Sequence, residues 1–358
     1  MNPIKATIKV QAPARICFFG DHQDYLGLPV IAGTINRYIQ IKAKPNLKSK
    51  YFIQLIDLNK EITINLDYNF NSILTEDYFR SSMAVLRDEG AEFLQGFTVE
   101  ISGDVPVNAG VSSSSALVVA WIRFLLQAQE ATWNATDKQI GEWAYKAEVQ
   151  YFDQPGGLMD QYTIAQGGLI YIDTQSGKTT NLTPKIGTLI LAESGIPKKT
   201  LSILQNARNY AQNAIEEVQN KHPEFDLKKA QEQDFENYLP LVSKAFQPYW
   251  YAAIHNYLIT QKSKQEMMTS DPNFEKIGFF MNAHQKILQE CIQNTPNQMI
   301  KGMEAARKAG ALGAKVIGSG GGGCMVALTN KHSKENVIKA FKKAGAVQAY
   351  QVQLVSNK

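Results

Sequence analysis

The stretch from Ser115 to Glu130 limits the fold more than any other. Ala116, Leu117, Val118, Val119, Ala120, Trp121, Ile122, Phe124 and Leu125 give a helix an apolar surface on most sides. Such a helix is buried on most sides, so other elements have to cover it. The 358 residues are enough for two packed domains. With 44% hydrophobic and 20% charged residues, the composition is that of a folded soluble protein. Net charge is +4, from 37 basic and 33 acidic side chains mixed along the chain. That balance argues against nucleic-acid or membrane partners. Cys17, Cys291 and Cys324 stand far apart, with no CxxC or Cys/His cluster, so neither a disulfide framework nor a structural zinc site is expected. His222, His255, His284 and His332 show no metal spacing either. The N-terminus lacks a secretory h-region, and no apolar run reaches the roughly 18 residues of a membrane span. A cytoplasmic location is the expectation.

Alternating or apolar runs predict strands at Ala6–Val10, Ile16–Phe19, Tyr38–Ala43 and Phe97–Ile101, with a hairpin of Tyr51–Ile56 and Glu61–Leu66. After the buried helix, Thr136 or Asp137 caps a second one carrying Ile140, Trp143, Ala144, Ala147, Val149 and Tyr151. Leu169–Ile172 and Thr188–Ala192 read as strands. Helices are then predicted over Leu201–Gln219, Phe235–Ala245, Tyr249–Gln261, Phe274–Gln293 and Asn297–Ala309. Short strands at Val316–Ile317 and Met325–Leu328 flank a glycine run, and a helix at Lys334–Ala344 and a strand at Ala349–Val355 close the chain. This is an α+β pattern, favouring an antiparallel sheet over a long βαβ series. The texture changes near residue 185, which suggests domains of 1–185 and 186–358.

Three segments carry chemistry. In the first, Pro106–Ala116, Gly110 and Ser112–Ser115 lead straight into the buried helix. Small residues leave backbone N–H groups open, and the helix N-terminus favours an anion such as phosphate. An ordinary serine N-cap is the alternative. No Gly-x-x-x-x-Gly-Lys-Ser/Thr pattern occurs, which disfavours a P-loop. In the second, Gly318–Cys324, five glycines fall in six positions between strands. Ordering them is costly, so close approach to a ligand or to the first loop is a better use for them than a linker. In the third, Arg15, Asp21, His22 and Asp24 cluster where an apolar strand emerges, as either a paired surface turn or a site.

In this order the three segments resemble the three motifs of the GHMP kinases, the family of galactokinase, homoserine kinase, mevalonate kinase and phosphomevalonate kinase. The likeness runs from Ala12 to about Leu328 and is nearest to the galactokinase-like sugar 1-kinases. Arg15 and then Gly20-Asp21-His22-Gln23-Asp24-Tyr25 match a strand arginine followed by Gly-Glu-His-Thr-Asp-Tyr. Ala147-Glu148 with Gln154–Gln161 resembles a fourth galactokinase stretch. Asp21 stands one methylene short of the family's glutamate, Gln23 replaces threonine and Ala14 replaces glycine.

The resemblance implies a two-domain fold, an N-terminal α/β domain and a C-terminal ferredoxin-like domain with the site in the cleft between them. It also implies ATP and Mg2+ as cofactors and a small-molecule sugar as the substrate partner; oligomeric state is not written in it. Asp160 and Arg15 would be catalytic, the first as the base and the second as its neighbour and a charge stabiliser. Asp21, His22 and Asp24 would bind sugar hydroxyls. Gly110, Ser112, Ser113 and Ser114, with Ser319, Gly320, Gly321 and Gly322, would surround the ATP phosphates, and Ser114 and Glu148 would hold magnesium. The expected activity is ATP-dependent phosphorylation of the anomeric hydroxyl of galactose or a related sugar. A non-sugar alcohol such as mevalonate, and a non-catalytic sugar and ATP sensor, stay open as alternatives.

Overall fold

The computed structural model describes residues 7–70, 72–107, 109–129, 133–183, 186–197 and 200–356. Two sheets organise it, both mixed with helices. The first has seven strands: β1 (Ile8–Phe19), β2 (Val30–Asn46), β3 (Lys50–Leu55), β4 (Lys60–Asn65), β5 (Gly96–Gly103), β6 (Leu169–Asp173) and β7 (Lys178–Leu182). β2 runs through its middle, with β1 antiparallel along one edge and β5 and then β6 antiparallel on the other. Among the described residues only β3 and β5 pair in parallel. The predicted hairpin is β3–β4, with Tyr51 opposite Ile64.

The two predicted opening strands are one. β1 is continuous and absorbs Pro13 at a register shift between Pro13 and Ala14, where a missing N–H is tolerated. Ala6, the expected start, lies outside the described residues. β2 extends upstream of Tyr38 to Val30, and its first half is almost wholly buried, which removes the alternation that marks half-buried strands.

Four helices cover this sheet and build the site: α1 (Tyr78–Asp88), α2 (Ser113–Ala128), α3 (Asp137–Glu148) and α4 (Met159–Gln166). α2 is the apolar helix of the sequence. Trp121, Phe124 and Val118 are buried in a core shared with Tyr51, Phe97 and Phe79. Trp121 meets Phe79 edge to face with ring centroids 5.0 Å apart. α2 begins two residues before the expected Ser115 and stops at Ala128; Glu130 lies outside the described residues. Thr136 caps α3 through a reciprocal capping box with Gln139. α1 and α4 are additions to the expectation. Asp77 caps α1 by accepting from the Arg80 N–H, and α4 is two turns long and buried on most sides, so it has no helical stripe to read.

The second sheet has four strands: β8 (Thr188–Glu193), β9 (Ala311–Val316), β10 (Cys324–Thr329) and β11 (Gln348–Val352). They are ordered β11-β8-β10-β9 and are all antiparallel. Between β8 and β9 come α5 (Thr200–Gln219), α6 (Glu232–Tyr238), α7 (Gln247–Met267), α8 (Phe274–Ile287) and α9 (Asn297–Lys308), and α10 (Lys334–Lys343) precedes β11. This order and connectivity is the ferredoxin-like arrangement. The predicted helix over Phe235–Ala245 ends at Tyr238, because Pro240 disfavours helical backbone before it and supplies no N–H. α7 is longer than expected at both ends, and α8 gives way to a π turn at 288–292 that stops where Gln293 turns left-handed.

The sheets share a core. Ile16, Phe18 and Ile31 from the first pack with Leu189, Leu191 and Val326 from the second and with Phe280 of α8. After β11 the chain returns to the first sheet, where the Val355 N–H donates to Thr34 O at 3.0 Å. A division at residue 185 falls between β7 and β8, but 184 and 185 lie outside the described residues.

Candidate active site

A cleft of roughly 320 Å3 opens where both sheets' loops converge. Its floor is Arg15 on β1 and Asp160 in the first turn of α4. Arg15 Nε and Nη2 each donate to one Asp160 oxygen at 2.7 Å. Nη1 donates to Gly110 O at 2.6 Å, so one buried guanidinium ties the strand, the loop before α2 and α4 together. Burial alone would lower the arginine's proton affinity, but Asp160 outweighs it and holds the group charged. Ser112 Oγ donates to the same Asp160 carboxylate.

Ser112 has φ 61°, a left-handed conformation uncommon for serine. That turn explains why it does not cap α2 with its hydroxyl: the side chain is spent on Asp160. The first helical bond runs from Ala116 N–H to Ser112 O at 2.9 Å, which leaves the N–H groups of Ser113, Ser114 and Ser115 ahead of the ladder and beside the cleft. The result is an anion-binding helix end next to a fixed carboxylate.

Glu148, the last residue of α3, faces this helix end. It is buried, accepts from Gln161 Nε2 at 2.7 Å and is hydrogen-bonded by Ser114 and Ser115. Burial raises its carboxyl above the usual range, and the three hydrogen bonds do not fully offset that. A buried carboxylate with a serine hydroxyl beside it is a hard-oxygen donor set, the chemistry a divalent ion such as Mg2+ uses while keeping positions for water and phosphate.

The turn after β1 splits its four polar groups. Asp24 reaches the cleft wall, where its Oδ1 accepts the Tyr25 N–H at 3.0 Å. Gly157 lies directly against it: a Cβ there would run into the Asp24 side chain and force it to shift. Burial, and then the charge of Asp160, push the Asp24 carboxyl up to about 7. His22 touches the cleft but is committed, with Nδ1 3.1 Å from Tyr25 Oη and Nε2 3.0 Å from Ser319 O.

Asp21 has gone further inward. Its Oδ2 accepts from Lys315 Nζ at 2.5 Å and its Oδ1 from the Gly318 N–H at 2.8 Å. Lys315 fills its three donor positions with Asp21, Cys17 O and Val316 O. Burial would raise the Asp21 carboxyl, but Lys315 holds it below its ordinary value. Burial, followed by Lys315, lowers His284 to about 3, which leaves its ring neutral. Asp21 is therefore a link between β1 and β9, engaged before any ligand arrives.

The glycine run meets the first loop as expected, though not through every expected residue. The Cys324 N–H donates to Ala109 O at 2.7 Å, and a Cβ on Gly110 would lie 2.8 Å from Ile317 O. Gly318 and Ser319 line the cleft, and Ser319 Oγ is buried with no partner among the described residues. Gly320, Gly321 and Gly322 lie behind them: a Cβ on Gly320 would meet Asn294, Gly321 N–H donates to Asn294 O at 2.6 Å, and Gly322 abuts Ile196 and Pro197. All five glycines have positive φ, so the run is a set of obligatory left-handed turns.

Sequence reasoning missed Lys315, Gln161 as the partner of Glu148, Asn294, and Glu76, Tyr78 and Leu204 on the cleft wall. Only Lys315 carried a local signal, as the one charge in the otherwise apolar Ala311–Ile317.

Residues 77–168 match the GHMP kinases N terminal domain and residues 269–347 the GHMP kinases C terminal domain. The chain belongs to the GHMP kinase family. Such kinases are ATP-dependent, with ATP as phosphate donor. This GHMP kinase is 26% identical over 345 residues to a mevalonate kinase of Thermococcus gammatolerans, covering 92% of this chain and 91% of that protein. It is 25% identical over 358 residues to a galactokinase of Staphylococcus saprophyticus, covering 94% and 91%. Its fold matches that of a Lactococcus lactis galactokinase solved with galactose, with TM-score 0.87 at 22% identity, covering 99% of this GHMP kinase and 95% of that chain. Among the described residues no helix is long and apolar enough to cross a membrane.

Proposed function

We propose that this GHMP kinase is a sugar 1-kinase, transferring the γ-phosphoryl group of ATP to the anomeric hydroxyl of a monosaccharide. The observation that carries the reading is the Arg15–Asp160–Ser112 cluster at the floor of the cleft, set between the open N-terminus of α2 and Asp24. Asp160 takes the hydroxyl proton as the sugar oxygen attacks the γ-phosphorus. The new O–P bond forms while the bond to the β,γ-bridging oxygen breaks and ADP leaves. Arg15 holds Asp160 ionised and in place, and its charge offsets that on the transferring group. Ser113, Ser114 and Ser115 offer N–H groups to the phosphates, and Ser319 on the glycine run lines the same cleft.

Ser114 and Glu148 would hold Mg2+, which neutralises phosphate charge when bound. Asp24 accepts from sugar hydroxyls, a task that suits a cleft-facing carboxylate. Asp21 acts instead as a positioning residue. Gly320 to Gly322 shape the third motif, while Gly318 and Ser319 meet the nucleotide. A division of the chain into 1–185 and 186–358 puts the base and the helix end on one side and the glycine run on the other.

A second reading, phosphorylation of a non-sugar alcohol such as mevalonate, is favoured by the full-length likeness to a mevalonate kinase. Sugar-dependent ADP release decides between them, using galactose, glucose, mannose, arabinose, galacturonate, glucuronate, N-acetylgalactosamine, a heptose 7-phosphate and mevalonate, with Asp160→Asn as the blank. One strongly responding sugar supports the 1-kinase reading. A response to mevalonate alone overturns it, and ATP binding with no turnover on any acceptor points to a sensor.

A further inference from the structure

The cleft has a second lobe on the far side of Asp24. A cavity of roughly 380 Å3 is lined by Asp24, Tyr25, Tyr145, Gln150, Thr174 and Arg208, and it shares the Asp24 and Gly157 wall with the first cavity. α5 lies along both. Leu204 faces the first lobe and Arg208, one helical turn on, faces the second.

Arg208 is half-buried and makes no hydrogen bond or ion pair among the described residues. A guanidinium stays charged at any physiological pH, and taking it from water without a partner is unfavourable. Among the described residues, the other Arg or Lys lining the two lobes is Arg15, which is committed to Asp160, and Lys315 behind the cleft is committed to Asp21. The phenols of Tyr25 and Tyr145, which burial keeps neutral, lie within reach of the Arg208 charge. Asp153 also lines the lobe, but it is exposed and does not pair with Arg208.

We propose that this lobe is an acceptor subsite for an anionic substituent: the substrate is a sugar carrying a carboxylate or phosphate away from its reacting hydroxyl, and Arg208 binds that group. The inference rests on the sugar-kinase reading and narrows its substrate class. With its reacting hydroxyl at Asp160, the sugar spans Asp24, which takes ring hydroxyls, and its charged end enters the second lobe. The guanidinium's planar fork suits either oxyanion. A neutral hexose gives Arg208 no counter-charge.

The test is kcat/KM for matched pairs: galactose with galacturonate and with galactose 6-phosphate, and glucose with glucuronate and with glucose 6-phosphate. Each is run on the wild type, Arg208→Gln and Arg208→Lys. The expected result is that one acidic sugar exceeds its neutral parent by about tenfold or more, the size of a charge-assisted hydrogen-bonded contact. Arg208→Gln should erase that preference, and Arg208→Lys should keep part of it. Whether carboxylate or phosphate wins identifies the anion. Calorimetric binding to Asp160→Asn gives the same ranking without turnover, and a melting curve for each variant separates misfolding from lost recognition. Neutral sugars phosphorylated as well as or better than the acids, or an acid preference unchanged in Arg208→Gln, overturns the subsite while leaving the 1-kinase reading in place. Turnover of mevalonate with no sugar bound or phosphorylated overturns both.

Discussion

Two regions a few residues apart in sequence use carboxylates in opposite ways. At the seam between the sheets, Asp21 is locked to Lys315 and the Gly318 N–H beside a neutral His284. At the cleft, Asp24 and Asp160 stand close enough for one to raise the other's proton affinity. The seam is closed, with every Lys315 donor answered. The cleft keeps carboxylate acceptors and helix N–H groups beside the space that a ligand would enter. Residue type does not distinguish the two regions, but the presence of a matched counter-charge does.

The sharpest way to break this comparison is Asp160→Asn. Removing the base should lower kcat by about a thousandfold or more while ATP affinity, read by calorimetry, stays nearly constant. A near-normal kcat would take Asp160 out of the chemistry. Next in size is Lys315→Met, which leaves Asp21 buried without its cation and should destabilise the fold by about 3–5 kcal/mol in chemical denaturation. Adding Asp21→Asn to it should recover a good part of that loss. A double variant no more stable than the single would mean the seam is not an ion-pair lock.

Smaller effects sharpen the cleft side. Asp24→Ala should raise the sugar KM about tenfold and blur discrimination between hydroxyl epimers, with a lesser change in kcat. An unchanged KM and epimer preference would remove Asp24 from the acceptor site. The smallest effect is on pH dependence. With the Asp24 carboxyl at about 7, sugar affinity should improve as pH rises through neutrality and the ionised acceptor forms, and Asp24→Asn should flatten that step. Stability moves the other way. The folded chain holds this proton more tightly than the unfolded chain, whose aspartates titrate near pH 3.9, so ionising Asp24 destabilises the fold between about pH 4 and 7. Asp21 has the opposite sign: its held-down carboxyl stabilises the fold above that unfolded value, and the contribution is lost as pH falls through the folded one.

Much of the site was legible because its chemistry is written in short, local segments. The serine run before an apolar helix announced a helix N-terminus at a site, and α2 starts there, at Ser113 beside the cleft. The glycine run announced close backbone approach, which its positive φ values and the Ala109–Cys324 contact display. The α+β class was legible from mixed periodicities. Elements without a period were not: α4 and the first half of β2 are buried on both sides, so neither shows a face.

The sequence by itself determined which residue types are present at each motif and which segments must be buried. Only the tertiary structure decided which of two aspartates three residues apart is locked to a lysine and which is left to the cleft. It also decided that Lys315, almost three hundred residues away, answers Asp21, and that Arg208 pairs with no carboxylate among the described residues. Those outcomes depend on which strand ends and helix turns converge. Desolvation and charge pairing act through distance in space, and a linear pattern records distance only along the chain.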